Sequence, residues 1–177
     1  AISQRPEVAE ILGRVLAARG VGLDEAYAFL NPTLRTLMPQ PSALQDMEKG
    51  AARLAAAVMA QEKIGVIADY DVDGVSSAAM LQSFLRAVGS DCALHIPDRL
   101  TEGYGPSERA VNQLKSQGTE LLVTLDCGVM AHDPLARAAE LGLVTIIVDH
   151  HQAGEFLPEA YAVVNPNRQD DSSGFGY

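Results

Sequence analysis

Three carboxylates, Asp69, Asp71 and Asp73, fall within five residues of one another in Ile64-Gly-Val-Ile-Ala-Asp-Tyr-Asp-Val-Asp-Gly-Val-Ser-Ser77. Like charges this close repel, and in a site shielded from water the cost is on the order of several kcal/mol unless protons or a cation offset it. A divalent metal is the simplest remedy. Hard oxygen ligands suit magnesium, manganese or calcium, and the spacing alone does not choose among them. Two further clusters carry comparable chemistry: Asp126-Cys127-Gly128 and Asp149-His150-His151.

Each cluster has a functionless counterpart. Asp-x-Asp-x-Asp-Gly also opens an EF-hand loop, but the Glu required at the twelfth position is replaced by Met80, and the segment follows an apolar run instead of a helix. A solvated acidic turn, a strand-end Asp-Gly turn and an exposed His pair would each be unremarkable in isolation. Cys127 reads as a small packed residue, because a neighbouring carboxylate raises a thiol pKa and works against a nucleophilic thiolate.

The elements that must hold these clusters follow from the pattern around them. From Ile64 onward short apolar strands alternate with helices: strands at Ile64–Ala68, Cys92–Ile96, Leu121–Leu125 and Val144–Val148, helices at Val75–Val88, Ser107–Gln117 and His132–Leu141. Continuous apolar strands separated by helices predict an α/β fold, a parallel sheet with helices on both faces. In such a sheet all carboxyl ends share one edge, so clusters about 80 residues apart in sequence converge there. The convergence of acidic or His clusters behind three strands is what sets the functionless readings aside. Oxygen and imidazole ligands together favour manganese or another first-row ion over calcium, and there are enough of them for two ions, a recurrent device for cleaving phosphate esters. A dinucleotide site would want G-x-G-x-x-G after the first strand, and Asp69-Tyr-Asp-Val-Asp-Gly is the electrostatic opposite.

Ahead of the sheet, residues 5–19 read as a helix with Pro6 in its first turn, apolar Val8, Ile11, Leu12, Val15 and Leu16, and Gly20 as its stop. A short helix is expected over Leu23–Leu30, then a linker marked by Pro32, Pro39 and Pro41, then an amphipathic helix from Asp46 to about Glu62. The expected organisation is a helical N-terminal appendage, 1–62, followed by the α/β domain, 63–177.

With 47% hydrophobic residues the chain can bury a core. No apolar run reaches the ~20 residues of a membrane span, and the N-terminus lacks a signal layout, so a cytoplasmic protein is expected. Cys92 and Cys127 are too few for a disulfide framework. The net charge of −10 opposes wrapping nucleic acid on this surface alone.

Asp69-Tyr-Asp-Val-Asp-Gly, Asp126-Cys-Gly and Asp149-His-His resemble the successive motifs of the DHH phosphoesterase superfamily. Ile96-Pro-Asp-Arg-Leu-Thr-Glu-Gly-Tyr-Gly-Pro, Val164-Asn-Pro-Asn, Phe29-Leu-Asn-Pro and Leu44-Gln-Asp-Met resemble, more narrowly, the RecJ single-stranded-DNA exonucleases. The resemblance implies a hydrolase with two manganese or magnesium ions that degrades single-stranded DNA from the 5′ end in repair and recombination. It implies Asp71 and Asp126 on one metal with Asp69 nearby, and Asp73, Asp126 and His150 on the other, so that Asp126 bridges. His151 would face the scissile phosphate, with Asp149 beside it in the motif. Arg99, in the loop after the second strand, would contact a phosphate or form a surface salt bridge. The implied partners are single-stranded DNA and repair proteins such as a helicase or a single-strand-binding protein, with the enzyme a monomer.

The family carries a further metal-binding Asp, a second catalytic domain and an oligonucleotide-binding fold downstream, none of them in this sequence. The expectation is therefore an N-terminal fragment of a longer enzyme, folded but with little activity by itself. Two alternatives stand beside this reading: a relative acting on short oligonucleotides, cyclic dinucleotides or pyrophosphate, and a non-catalytic binding module. Loss of motif carboxylates would mark the latter, and all are present.

Overall fold

The structure is a computed structural model that describes residues 10–176. The described chain parts into two compact units between Gln40 and Pro41.

The first unit contains α1 (Glu10–Ala18), α2 (Ala26–Leu30) and α3 (Leu34–Leu37). The expected start of the first helix at residues 5–9, with Pro6 and Val8, lies outside the described residues. Gly20 ends α1 as expected, at φ +74°, with the Val21 amide donating back to the Leu16 carbonyl. Leu16 and Ala26 are the buried apolar residues here, with Leu12 and Val21 packed against them, while Ile11 and Val15 are exposed. α2 begins three residues later than expected, because Leu23–Glu25 form a turn. The proline-marked linker holds α3 and a single 3-10 turn, Pro41–Ala43.

The second unit is a five-stranded sheet, ordered β2-β1-β3-β4-β5, with every neighbouring pair parallel. Its strands are β1 (Ile64–Ala68), β2 (Cys92–His95), β3 (Leu121–Leu125), β4 (Val144–Val148) and β5 (Ala162–Val164). Helices α4 (Met47–Ala60) and α5 (Val72–Ala87) lie on one face, α6 (Glu108–Ser116) and α7 (His132–Glu140) on the other. Alternation along β1 sends Ile64, Val66 and Ala68 to the first face and Ile67 to the second. Both central strands, β1 and β3, are buried throughout, which is why they read as unbroken apolar runs. Replacing a wholly buried side chain such as Ile147 by Ala would cost about 2–5 kcal/mol.

Three differences from the sequence reading have physical causes. α4 packs on β5 as part of the sheet unit, so the compact body starts at Pro41 and not after residue 62. Its small residues permit the approach: a side chain at Gly50 would meet Ile146 and Ala162 at 3.4 and 3.5 Å. α5 starts at Val72, before the expected Val75, because Asp71 is its N-cap and accepts the amides of Asp73 and Gly74. β5, which was not expected, has only three residues and so carries little periodicity. Among the described residues no helix is long and apolar enough to cross a membrane.

Candidate metal centre

The chain runs from β1 to β2 on one side and crosses back to β3 on the other, so the carboxyl ends of β1 and β3 flank the point where strand order reverses. The first residue past each of three strands continues the ladder. The Asp69 amide donates to Leu125 O at 3.1 Å, Asp126 to Val148 O at 2.8 Å, and Asp149 to Val164 O at 3.0 Å. Three aspartates are thus fixed side by side at one edge, each buried.

Tight backbone geometry holds the turns beyond them. A Cβ on Gly74 would come within 2.4 Å of the Asp69 carbonyl oxygen, so only glycine lets α5 begin this close to β1. Asp126 itself is left-handed at φ +59°, a conformation Asp tolerates better than most side chains. Gly128 follows at φ +109°, where a Cβ would strike Thr124 Oγ1 at 2.7 Å.

Two groups of donor atoms lie within 4.8 Å of one another: Asp69, Asp71 and Asp126, and Asp126, His150 and His151. Asp126 belongs to both. Asp69 Oδ1 and both carboxylate oxygens of Asp126 are buried without a hydrogen-bond donor, and His150 Nε2 stands 3.0 Å from Asp126 Oδ1. Buried carboxylate oxygens are ordinarily hydrogen-bonded, so unpartnered ones gathered at one point fit a cation. Burial, followed by the adjacent Asp71 carboxylate, pushes Asp126 up to about 6. Asp71 moves the other way, chiefly because the Gly74 amide stabilises its charge. Oxygen and imidazole donors together suit manganese or another first-row divalent ion.

Asp149 has a different bonding state. Its Oδ1 accepts from the amides of His150 (2.7 Å) and His151 (3.1 Å) and lies 2.8 Å from His151 Nδ1, while Oδ2 accepts from the Val129 amide at 2.9 Å. With its acceptor sites filled, it orients the histidines and is not gathered among the donor groups. For His151, burial alone would lower the imidazole pKa, but the bond to Asp149 and the charges of Asp149, Asp126 and Asp69 raise it on balance.

The remaining expected residues fall around this point. Asp73 is exposed in the first turn of α5 and in neither donor group, but it lines a cleft of ≈ 410 Å³ with Ser76, Ser77, Asp126 and His150. The Arg99 guanidinium lies 5.6 Å from the Tyr70 ring centroid, a cation–π contact that brings it to the acidic loop. Cys127 is wholly buried with Sγ 3.8 Å from Ile67 O, and burial followed by the nearby carboxylates pushes its thiol well up.

Sequence reasoning missed three residues of the site. Asn165 Nδ2 donates to His151 O at 3.0 Å, and Asn167 Nδ2 donates to His150 O, so the turn after β5 clamps the backbone of the His pair. The Tyr104 hydroxyl contacts both Asp126 and His151. All three stand in segments that carry the family resemblance, but none is a charged or metal-ligating type.

The profile of the DHH family, N-terminal domain, matches residues 63–177. The single-stranded-DNA-specific exonuclease RecJ of Bacillus subtilis is 34% identical over 167 residues, covering 94% of this chain and 21% of its own length. An exonuclease RecJ bound to manganese superposes with a TM-score of 0.66 at 36% identity, over 72% of this chain and 33% of that one. The RecJ of Thermus thermophilus in complex with Mn2+ gives 0.61 at 29% identity, over 89% and 24%. The chain therefore spans about a fifth of the length of the Bacillus relative.

Proposed function

This chain belongs to the DHH family, and on that premise we propose that it is the metal-binding part of a phosphodiesterase that removes nucleotides from the 5′ end of single-stranded DNA. The observation that carries the proposal is the double membership of Asp126, whose two buried oxygens receive no backbone amide and which falls in both donor groups. Asp69, Asp71 and Asp126 would hold one ion, and Asp126 with His150 the other, Asp73 completing that set from the cleft wall. Bound divalent ions supply Lewis-acid activation of water and neutralise charge building on the phosphate. His151 is held through Nδ1 by Asp149, which leaves Nε2 as the nitrogen from which a protonated ring would donate to a phosphate oxygen. Arg99 adds a cation at the acidic loop that suits a second phosphate contact.

The relatives named as single-stranded-DNA exonucleases favour that polymer as substrate over cyclic dinucleotides or pyrophosphate. Calorimetric titration of the protein with manganese should give two bound ions in the wild type. A chimaera in which residues 63–177 replace the matching part of the Bacillus exonuclease should digest 5′-labelled single-stranded DNA. A chimaera that folds and binds manganese but leaves the DNA intact would sink the substrate assignment.

A further inference from the structure

We infer that Tyr104 is a positioning residue, whose hydroxyl ties the backbone of Asp126 to the imidazole of His151 and leaves Nε2 as the nitrogen that His151 offers at the rim. Its catalytic consequence rests on the phosphodiesterase reading above; the bonding does not.

A phenol has one hydroxyl proton, and Tyr104 donates it to the Asp126 carbonyl oxygen at 3.1 Å, a group that can only accept. Toward His151 Nδ1, 3.0 Å away, the phenol oxygen can then act only as acceptor, so Nδ1 must carry hydrogen. Asp149 Oδ1 makes the same demand from another side, at 2.8 Å from that nitrogen. Two acceptors from different loops therefore converge on Nδ1, and Nε2 is the nitrogen that takes up the second proton when the ring becomes the donor invoked above. The ring is further set by an edge-on contact with Tyr104, with centroids 5.5 Å apart.

The loop is shaped for this contact. Gly103 and Gly105 flank Tyr104 at φ +85° and +75°, a left-handed geometry that glycine reaches without strain, and they arch the segment over the ends of β3 and β4. Upstream, His95 at the end of β2 lies 3.0 Å from Glu102 and anchors the loop to the sheet. Asp126 gains a support it otherwise lacks: at φ +59° its carbonyl receives no backbone amide among the described residues, and the tyrosine hydroxyl supplies the donor. Tyr104 is itself 49% exposed, so its ring contributes little to the core and the hydroxyl can be removed without unfolding the domain.

The experiment compares the wild type with Tyr104→Phe, each labelled with 15N-histidine, free of metal and at a pH where imidazoles are neutral. The wild type should show His151 protonated at Nδ1 and bare at Nε2. In Tyr104→Phe Asp149 still holds hydrogen on Nδ1, so the tautomer should persist while the His151 Nδ1 resonance shifts with the loss of its second acceptor, with His95 unchanged as the report of an intact loop. Unchanged His151 nitrogens beside an unchanged His95 would overturn the inference. In the chimaera, Tyr104→Phe should lower kcat about tenfold with KM for DNA and manganese affinity within about twofold of wild type. A rise in KM at constant kcat would also overturn it. Failure of the phosphodiesterase reading is seen separately, as a wild-type chimaera that folds but leaves the DNA intact, and the nitrogen shifts decide the positioning role in either case.

Discussion

Asp126 and Asp149 are the same residue type, each one place past adjacent parallel strands, and they are equally hidden, at 6% and 5% exposure. Their bonding is opposite. Asp149 accepts from three backbone amides and holds His151 Nδ1, whereas the two buried oxygens of Asp126 receive no backbone amide and face Asp71 and His150. The difference originates in the turns: the chain after β4 folds its amides back onto Asp149, while Asp126 takes a left-handed conformation and aims its carboxylate at Asp71 and His150. A carboxylate's role is thus set by the donors its surroundings provide, not by burial or by its place past a strand.

The largest expected effect comes from removing the member that no backbone amide reaches. Asp126→Ala should weaken manganese binding on the order of 10³-fold, more than Asp69→Ala, because it takes an anionic ligand from both donor groups. Near-wild-type binding of two ions by the variant would break the comparison. The same residue gives a pH signature without metal. Its folded pKa of about 6 lies above the unfolded carboxylate's ~3.9, so the folded state holds the proton more tightly. Wild-type stability relative to Asp126→Asn should therefore be highest below pH ~4, fall as pH rises to about 6, and level off with a deficit on the order of 2–3 kcal/mol. Urea melts of both proteins in chelator across that range check the sign.

Asp149→Asn sharpens the contrast from the other side. It should reduce metal affinity or turnover by about 10–100-fold by misorienting the histidines, and stability by about 1–3 kcal/mol by weakening the bonds to buried amides. An Asp149→Asn protein that lost manganese as completely as Asp126→Ala would make Asp149 a ligand and erase the distinction.

A smaller effect separates the two histidines. His150 lines the cleft with Asp73 and Asp126, while His151 is engaged by Asp149 and Tyr104. His150→Ala should weaken manganese binding roughly tenfold, and His151→Ala should leave it near wild type while slowing single turnover about 10²-fold. Loss of metal by His151→Ala alone would reverse the assignment.

Much of this architecture was legible in residue order. Four strands at the expected bounds, or within one residue of them, followed from apolar runs too short for helices, and their parallel pairing from the helices between. Asp69, Asp71, Asp126 and His150 could be brought together because a parallel sheet has one carboxyl edge. The placement of α4 was not legible, because an Ala-rich amphipathic helix shows that it has a partner surface but not which one. Tyr104, Asn165 and Asn167 escaped for a similar reason: they act by one or two hydrogen bonds to backbone and imidazole atoms of other segments.

By itself the sequence determined the α/β alternation, the strand-end positions of the acidic and histidine clusters, and the presence of more carboxylates than one point can hold without a cation. Those depend on composition and period, which are local. Tertiary structure decided which carboxylate is bare and which is satisfied, because that depends on where amides from other turns point. The Val129 amide reaches Asp149 across 20 residues, and no amide reaches Asp126. Backbone donors have no residue-type signature, so their direction can be read only after the chain has folded.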